Sequence, residues 1–286
     1  MKTMMALAYF LFAPFVGGFL DGLDRKLSAR MQGRKGPDVW QPFYDVKKLF
    51  SKELLVVHDI QSIFVLCYAV MVVACGVMFF AGLDLLMIFF VLTTAGIFLV
   101  LAGNSTHSPY SSMGAQREIM QMMAYEPMVL ITAVGFYMAT GSFRVAEIAR
   151  AGILPALYLP GILIGFVFIL TIKMRKSPFD LSTAHHAHQE MVKGVTTEIT
   201  AGYLAVVDIT EWYENVLLLG VVGLFFLRTP DAGGIVSAVV GALAVWFLEI
   251  LIDNTSGRVT WKTMLKAAWA VTLVLGGLNL VVLNYL

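Results

Sequence analysis

Long apolar runs separated by short charged stretches set the pattern of this chain. Eight runs approach the roughly 20 apolar residues that a helix needs to cross a bilayer; they lie at roughly 3–20, 61–81, 83–103, 124–141, 153–172, 203–227, 233–252 and 264–285. A spanning segment must satisfy its backbone internally, so helices are the expected solution. The pattern predicts an all-α integral membrane protein, one polytopic domain over 1–286, with about eight transmembrane helices. Its polar loops fall at about 21–60, 104–123, 173–202 and 253–263. The segment FYDVKKLF repeats Phe43, Val46, Leu49 and Phe50 at helical spacing, with Asp45, Lys47 and Lys48 on other faces. It predicts an amphipathic loop helix, either lying in the lipid interface or forming a docking surface for a soluble partner.

Composition agrees. Hydrophobic residues make up 59% and charged residues 14%, against roughly 25% charged in soluble domains. The net charge of +1 gives no basic footprint for nucleic acid. No cleavage pattern follows the first apolar run, which reads as a retained helix. With the N-terminus outside, sixteen of the 20 Lys and Arg residues fall on the cytoplasmic loops and helix ends and four on the other side, a positive-inside pattern. Cys67 and Cys75 lie inside an apolar run at a spacing that suits neither zinc nor an iron–sulfur cluster. The chain is therefore expected to carry no redox centre and no metal.

The densest chemistry lies between Lys173 and Glu214, which hold four basic residues, three of the five histidines and six acids. His185 and His188 would share one helix face, and His186 and Glu190 another. No HExxH pattern is present, and titration near neutrality suits these histidines to passing protons; a hydrated surface cluster is the alternative. Glu198 follows, then Asp208, Glu211 and Asn215 on one face of the sixth span, with Glu214 a turn away. Acids at mid-membrane depth cost a few kcal/mol each. A structural role would need matching cations in the same helix, and that helix has none; the choice is between a proton path and ion pairing with other subunits. Glu126, followed by Pro127 at the start of the fourth span, could cap a helix, pair with an arginine or act as an intramembrane acid. Glu249 and Asp253 lie one turn apart with Arg258 nearby; Asp253 is expected to pair with Arg258, and Glu249 to join the acidic set.

Four stretches carry a resemblance. GRKGPDVWQPFYDVKKLFSKE, AYEP, SPFDL followed by TEIT, and EILIDNTSGRVTWK occur in this order. Together they resemble the membrane subunit shared by respiratory complex I and the energy-converting nickel–iron (NiFe) hydrogenases. Arg34, Gly36, Pro37, Gln41, Pro42, Asp45 and Lys48 match the first-loop motif. Glu126 matches the acid of the fourth span, and Pro178, Phe179, Asp180, Leu181, Glu190, Gly194 and Glu198 match the third-loop motif. The resemblance implies that these acids line a polar channel between a cytoplasmic redox arm and the membrane arm. Lys35, Arg117 and Asp180 complete the expected docking surface with the first-loop residues. Where the complex I pattern is acidic this chain has STAHHAHQ, which is more similar to the hydrogenase branch.

That resemblance implies a non-redox, ion-translocating subunit in the cell membrane of a bacterium or archaeon. Its partners would be the soluble hydrogenase large and small subunits, which carry the NiFe centre and 4Fe-4S clusters, together with an antiporter-like membrane subunit and the lipid bilayer. Ferredoxin would be the electron donor. A complex I-type quinone oxidoreductase subunit, a purely structural anchor and a free-standing transporter remain as alternatives; the last would show internal repeats, and none is found.

Overall fold

The computed structural model describes residues 2–53, 59–106, 108–179 and 194–285. Among them the regular structure is helical, apart from one isolated bridge between Asp84 and Arg144. Helix α1 spans Lys2–Met31, α2 Gln41–Phe50, α3 Asp59–Phe80, α4 Leu85–Asn104 and α5 Pro109–Thr140. Two single turns, α6 (Val145–Ile148) and α7 (Pro155–Tyr158), precede α8 (Pro160–Lys173). A 3₁₀ turn at Gly194–Thr196 leads into α9 (Ala201–Phe226) and α10 (Ala232–Thr255). The last span is α11 (Trp261–Val271), a π-helical stretch Thr272–Gly277, and α12 (Leu278–Tyr285). Seven of these segments are long and apolar enough to cross a bilayer, and α8 is a shorter apolar helix. The protein is thus an all-α membrane protein with seven candidate spanning segments and one shorter apolar helix among the described residues.

Three boundaries differ from the sequence pattern. Helix α1 does not stop near residue 20 but continues to Met31, because Asp21 and Arg25 pair along it at 3.0 Å. The stretch 109–123, expected as loop, is the first half of α5. Its polar residues are partnered inside the bundle: Ser111 Oγ donates to Gly103 O at 2.7 Å, and Gln121 Nε2 to Phe179 O at 2.6 Å. Hydropathy averaged along the chain cannot see that these groups lie on one buried face. The fifth span, expected over 153–172, is a helix of only 14 residues, and Asn279 organises its start. The Asn279 side chain accepts from Ile162 N at 3.1 Å and donates to Tyr158 O at 3.0 Å.

The core lies between α3, α4, α5, α8 and α9 and is filled by Tyr68, Phe136, Phe166 and Phe225; the rings of Phe136 and Phe225 are 4.6 Å apart. Between membrane helices, close backbone approach replaces the hydrophobic drive. Helix α2 packs Val46 beside Trp212 and Ala205 of α9, with Phe43 and Leu49 at the edge. Phe50, grouped with them by spacing, points away and is exposed. Gly22 of α1 lets the loop before α2 approach, since a Cβ there would meet Val39 O at 1.9 Å. Gly22→Ala is expected to push this loop off α1 and cost about 1–3 kcal/mol. Thermal unfolding of the detergent-solubilised protein checks this: an unchanged midpoint would show that the loop relaxes freely.

Candidate functional site

The short fifth span shapes the charged centre. Fourteen helical residues cover about 21 Å, less than the roughly 30 Å hydrocarbon core. The chain therefore turns while still inside the bundle, and Lys173, Arg175 and Lys176 arrive there rather than at a surface. The turn is a Schellman-type stop: Arg175 N donates to Ile172 O at 3.1 Å and Lys176 N to Thr171 O at 3.0 Å. The position that glycine usually fills is Arg175, at φ 52°. A left-handed residue with a side chain costs about 1–2 kcal/mol. Such strain is kept where the side chain is needed.

Here the guanidinium is needed. Arg175 pairs with Glu211 of α9 and reaches Glu118 of α5 at 3.5 Å. The Glu118 and Glu211 carboxylates compensate its charge inside the bundle. One turn further along α9, Lys173 Nζ lies 2.6 Å from Glu214 Oε1, and the Tyr68 hydroxyl donates to Glu214 Oε2 at 3.2 Å. Lys173 also sits over the Tyr125 ring, 4.8 Å from its centroid, a cation–π contact. Five charged side chains from three helices and one turn thus form a continuous layer near the middle of α9. One Glu118 oxygen in it has no hydrogen-bond partner among the described residues.

Beside this layer opens a cleft of about 180 Å³ between α1, α2, α9 and α10. Its polar wall is Asp21, Asp24, Arg25, Asp45, Lys176, Asp208 and Glu211, and its apolar wall includes Trp212 and Trp246. Arg25 bridges Asp21 and Asp45 at 3.0 Å each, and all three are partly open to solvent. Lys176 and Asp24, by contrast, are largely enclosed and lie 2.6 Å apart. Glu211 belongs to both the layer and the cleft wall.

The candidate residues from the sequence separate into groups. Glu211 and Glu214 meet in the layer, and Asp208 and Glu211 share the cleft wall. The matching cations are Lys173 at the end of α8 and Arg175 in the turn after it, not residues of α9 itself, so Glu214 and Glu211 are paired within this chain. Glu126 stands apart, half-buried on α5 with its carboxyl against Thr93 of α4. Glu198 is half-buried just after the 3₁₀ turn, which is locked under α5 at Gly114, where a Cβ would meet Val195 N at 2.2 Å. Glu249 is fully buried on α10. Asp253 accepts from Ser177 N at 2.9 Å.

Of the docking set, Gln41 Nε2 donates to Asp45 at 3.0 Å, and Pro42 is buried in the cleft wall. Gly36 packs on α1 near Ala29, while Arg34, Lys35, Pro37 and Lys48 are exposed and Arg117 is half-buried. Arg34 hydrogen-bonds Gln32. Asp180, His185, His186, His188 and Glu190 lie outside the described residues. The sequence reading missed Glu118, Lys173, Arg175, Tyr68 and Tyr125. Glu118 beside Arg117 was the available signal, since adjacent residues face different sides of a helix. Among the described residues no group of three or more His, Cys, Asp or Glu is placed to hold a metal.

A helical membrane bundle with a buried ion-pair layer facing a polar cleft defines the class: a polytopic membrane subunit organised around intramembrane charge. The family model for NADH dehydrogenase matches residues 2–284. The chain belongs to that family. Hydrogenase-4 component C of Escherichia coli (strain K12) is 26% identical over 96% of this chain and 97% of its own. NADH-ubiquinone oxidoreductase chain 1 of Pecten maximus is 28% identical over 92% and 82%. The fold matches a chain in the membrane-bound sulfane sulfur reductase, an archaeal respiratory membrane complex, at TM-score 0.87 and 21% identity, covering 99% of both. The chain is thus a membrane subunit of a complex I-like oxidoreductase assembly.

Proposed function

We propose that this chain is the membrane-anchoring, proton- or ion-translocating subunit of an energy-converting NiFe hydrogenase. Soluble large and small subunits dock on the charged end, and the distribution of Lys and Arg supports its facing the cytoplasm. There they evolve hydrogen with electrons from ferredoxin. The chain lies in the cell membrane beside an antiporter-like subunit, with its N-terminus outside. Likeness to hydrogenase-4 component C supports the hydrogenase branch. The observation that carries the ion-moving role is the Lys173–Glu214 and Glu118–Arg175–Glu211 layer. Such a layer is costly in a bilayer and connects the cleft to the bundle interior. A charge change at the docked face would act on Asp45, Arg25 and Asp208, then on Glu211 and Arg175, then on Glu118 and Glu214. Glu126, Glu198 and Glu249 extend the path, and Glu190, His185, His186 and His188, outside the described residues, are assigned to it from the sequence alone.

A second reading has one observation of its own. The cleft places Trp212 and Trp246 against a polar wall, a setting suited to an amphiphilic electron acceptor of the kind named for the Pecten maximus relative. The test is purification of the complex in mild detergent, metal analysis and reconstitution into vesicles. Nickel, ferredoxin-driven hydrogen evolution and a coupled ion gradient are expected. Glu198→Gln is expected to assemble, evolve hydrogen and build no gradient; an unchanged gradient removes Glu198 from the path. A nickel-free, quinone-reducing complex would replace the hydrogenase reading with the second one.

A further inference from the structure

Nearly every buried acid described above has found a cation. Glu214 has Lys173, Glu211 and Glu118 share Arg175, and Asp24 has Lys176. Glu249 differs. It is 0% exposed, and among the described residues neither of its carboxyl oxygens has a hydrogen-bond partner. It lies on the inner face of α10 with Trp246 and Ile250, which pack with Leu219 of α9 and Leu20, Leu23 and Leu27 of α1. An ionised carboxylate left without bonds in such a wall costs several kcal/mol. It is relieved by a proton or by an arriving cation.

The cation is at hand. Ser177 N, next in the chain to Lys176, donates to Asp253 at 2.9 Å, one turn along α10 from Glu249, and Lys176 lines the same cleft as Trp246. Lys176 now bonds Asp24 at 2.6 Å, whose other oxygen accepts from Ser28 Oγ at 3.2 Å. A lysine ammonium is a compact charge on a flexible stem, suited to exchanging partners. The remaining charged groups facing this region are Asp21 and Arg25 of α1, Asp45 of α2, and Asp208 and Glu211 of α9, all in the cleft wall.

We propose that Asp24, Lys176 and Glu249 form a two-position proton switch. With Lys176 on Asp24, Glu249 holds a proton. When a proton reaches Asp24 from the cleft, Lys176 turns to Glu249 and the Glu249 proton leaves. Each state holds one ammonium, one carboxylate and one carboxylic acid, so the charge of the triad is constant while one proton enters and one departs. The purpose of the switch rests on the ion-coupling reading above. Its existence does not, because the test reads protonation rather than gradients.

The test is infrared difference spectroscopy of the purified complex. Wild type minus Glu249→Gln is expected to show a protonated-carboxyl band that shifts in heavy water. In an Asp24→Asn background Lys176 loses its partner and moves to Glu249, so the same subtraction is expected to lose that band and show a carboxylate. Lys176→Met keeps the band. Should Glu249→Gln not assemble, wild type minus Asp24→Asn carries the same band. A carboxylate at Glu249 in the wild type, or an acid band that survives in Asp24→Asn, overturns the switch.

Discussion

Arg175→Met is expected to be among the most damaging single substitutions in this protein, costing about 3–5 kcal/mol. Removing one partner of a buried ion pair leaves an uncompensated charge behind, and here two carboxylates, Glu118 and Glu211, lose their cation together. Methionine also inherits the left-handed backbone at this position, so no strain is relieved. Arg175→Gly loses the same guanidinium but releases about 1–2 kcal/mol of that strain and should be the milder change. The triple variant Arg175→Met, Glu118→Gln, Glu211→Gln removes all three charges and should recover most of the lost stability, because apolar or neutral replacement of a whole buried set is close to neutral. Thermal unfolding of the solubilised complex ranks the three. If the triple variant is as unstable as Arg175→Met, the ion pairs do not dominate here and packing of the arginine stem does.

The triple variant also bears on function. A layer kept only for assembly would leave it active once stability returns. A layer that moves charge would leave it assembled and unable to couple redox turnover to an ion gradient. The same logic explains why sequence reasoning stopped where it did. The spans were legible because twenty apolar residues in a row have few other uses, and the acids of the sixth span stood out because mid-membrane charge is expensive.

The cations were not legible as their partners. Lys173 and Arg175 follow an apolar run and look like ordinary interfacial charges; only the 14-residue length of α8 brings them inward. Residues 153–159 read as part of the same apolar run, yet Pro155–Tyr158 form a separate turn and α8 starts only at Pro160. Glu118 was hidden for a related reason: the stretch around it is polar on average but buried on one face, so hydropathy placed it in a loop. Glu249 was found as an acid near Asp253, but its lack of a bonded partner is a property of packing alone. Four stretches resembling one family pointed to the membership that the family model carries.

Lys173→Met and Glu214→Gln are expected to abolish the ion gradient while leaving redox turnover in the docked subunits. Lys173 lies 2.6 Å from Glu214, and Tyr68 donates to the other oxygen of the same carboxyl. Lys173→Met leaves Glu214 buried without its cation, at a cost of about 3–5 kcal/mol that the acid escapes by taking up a proton. Glu214→Gln supplies a fixed neutral group directly. Both therefore freeze the same site in one charge state and should give the same uncoupled phenotype. The double variant Lys173→Met, Glu214→Gln should regain stability, since residues sharing one interaction are not additive. Its gradient decides the question. A charge-carrying pair predicts that the double variant is stable and still uncoupled, whereas a structural pair predicts that coupling returns with stability. Lys173→Arg keeps the charge and is the control: it should retain part of the gradient, and its complete failure would point to the Tyr125 contact and ammonium geometry rather than charge.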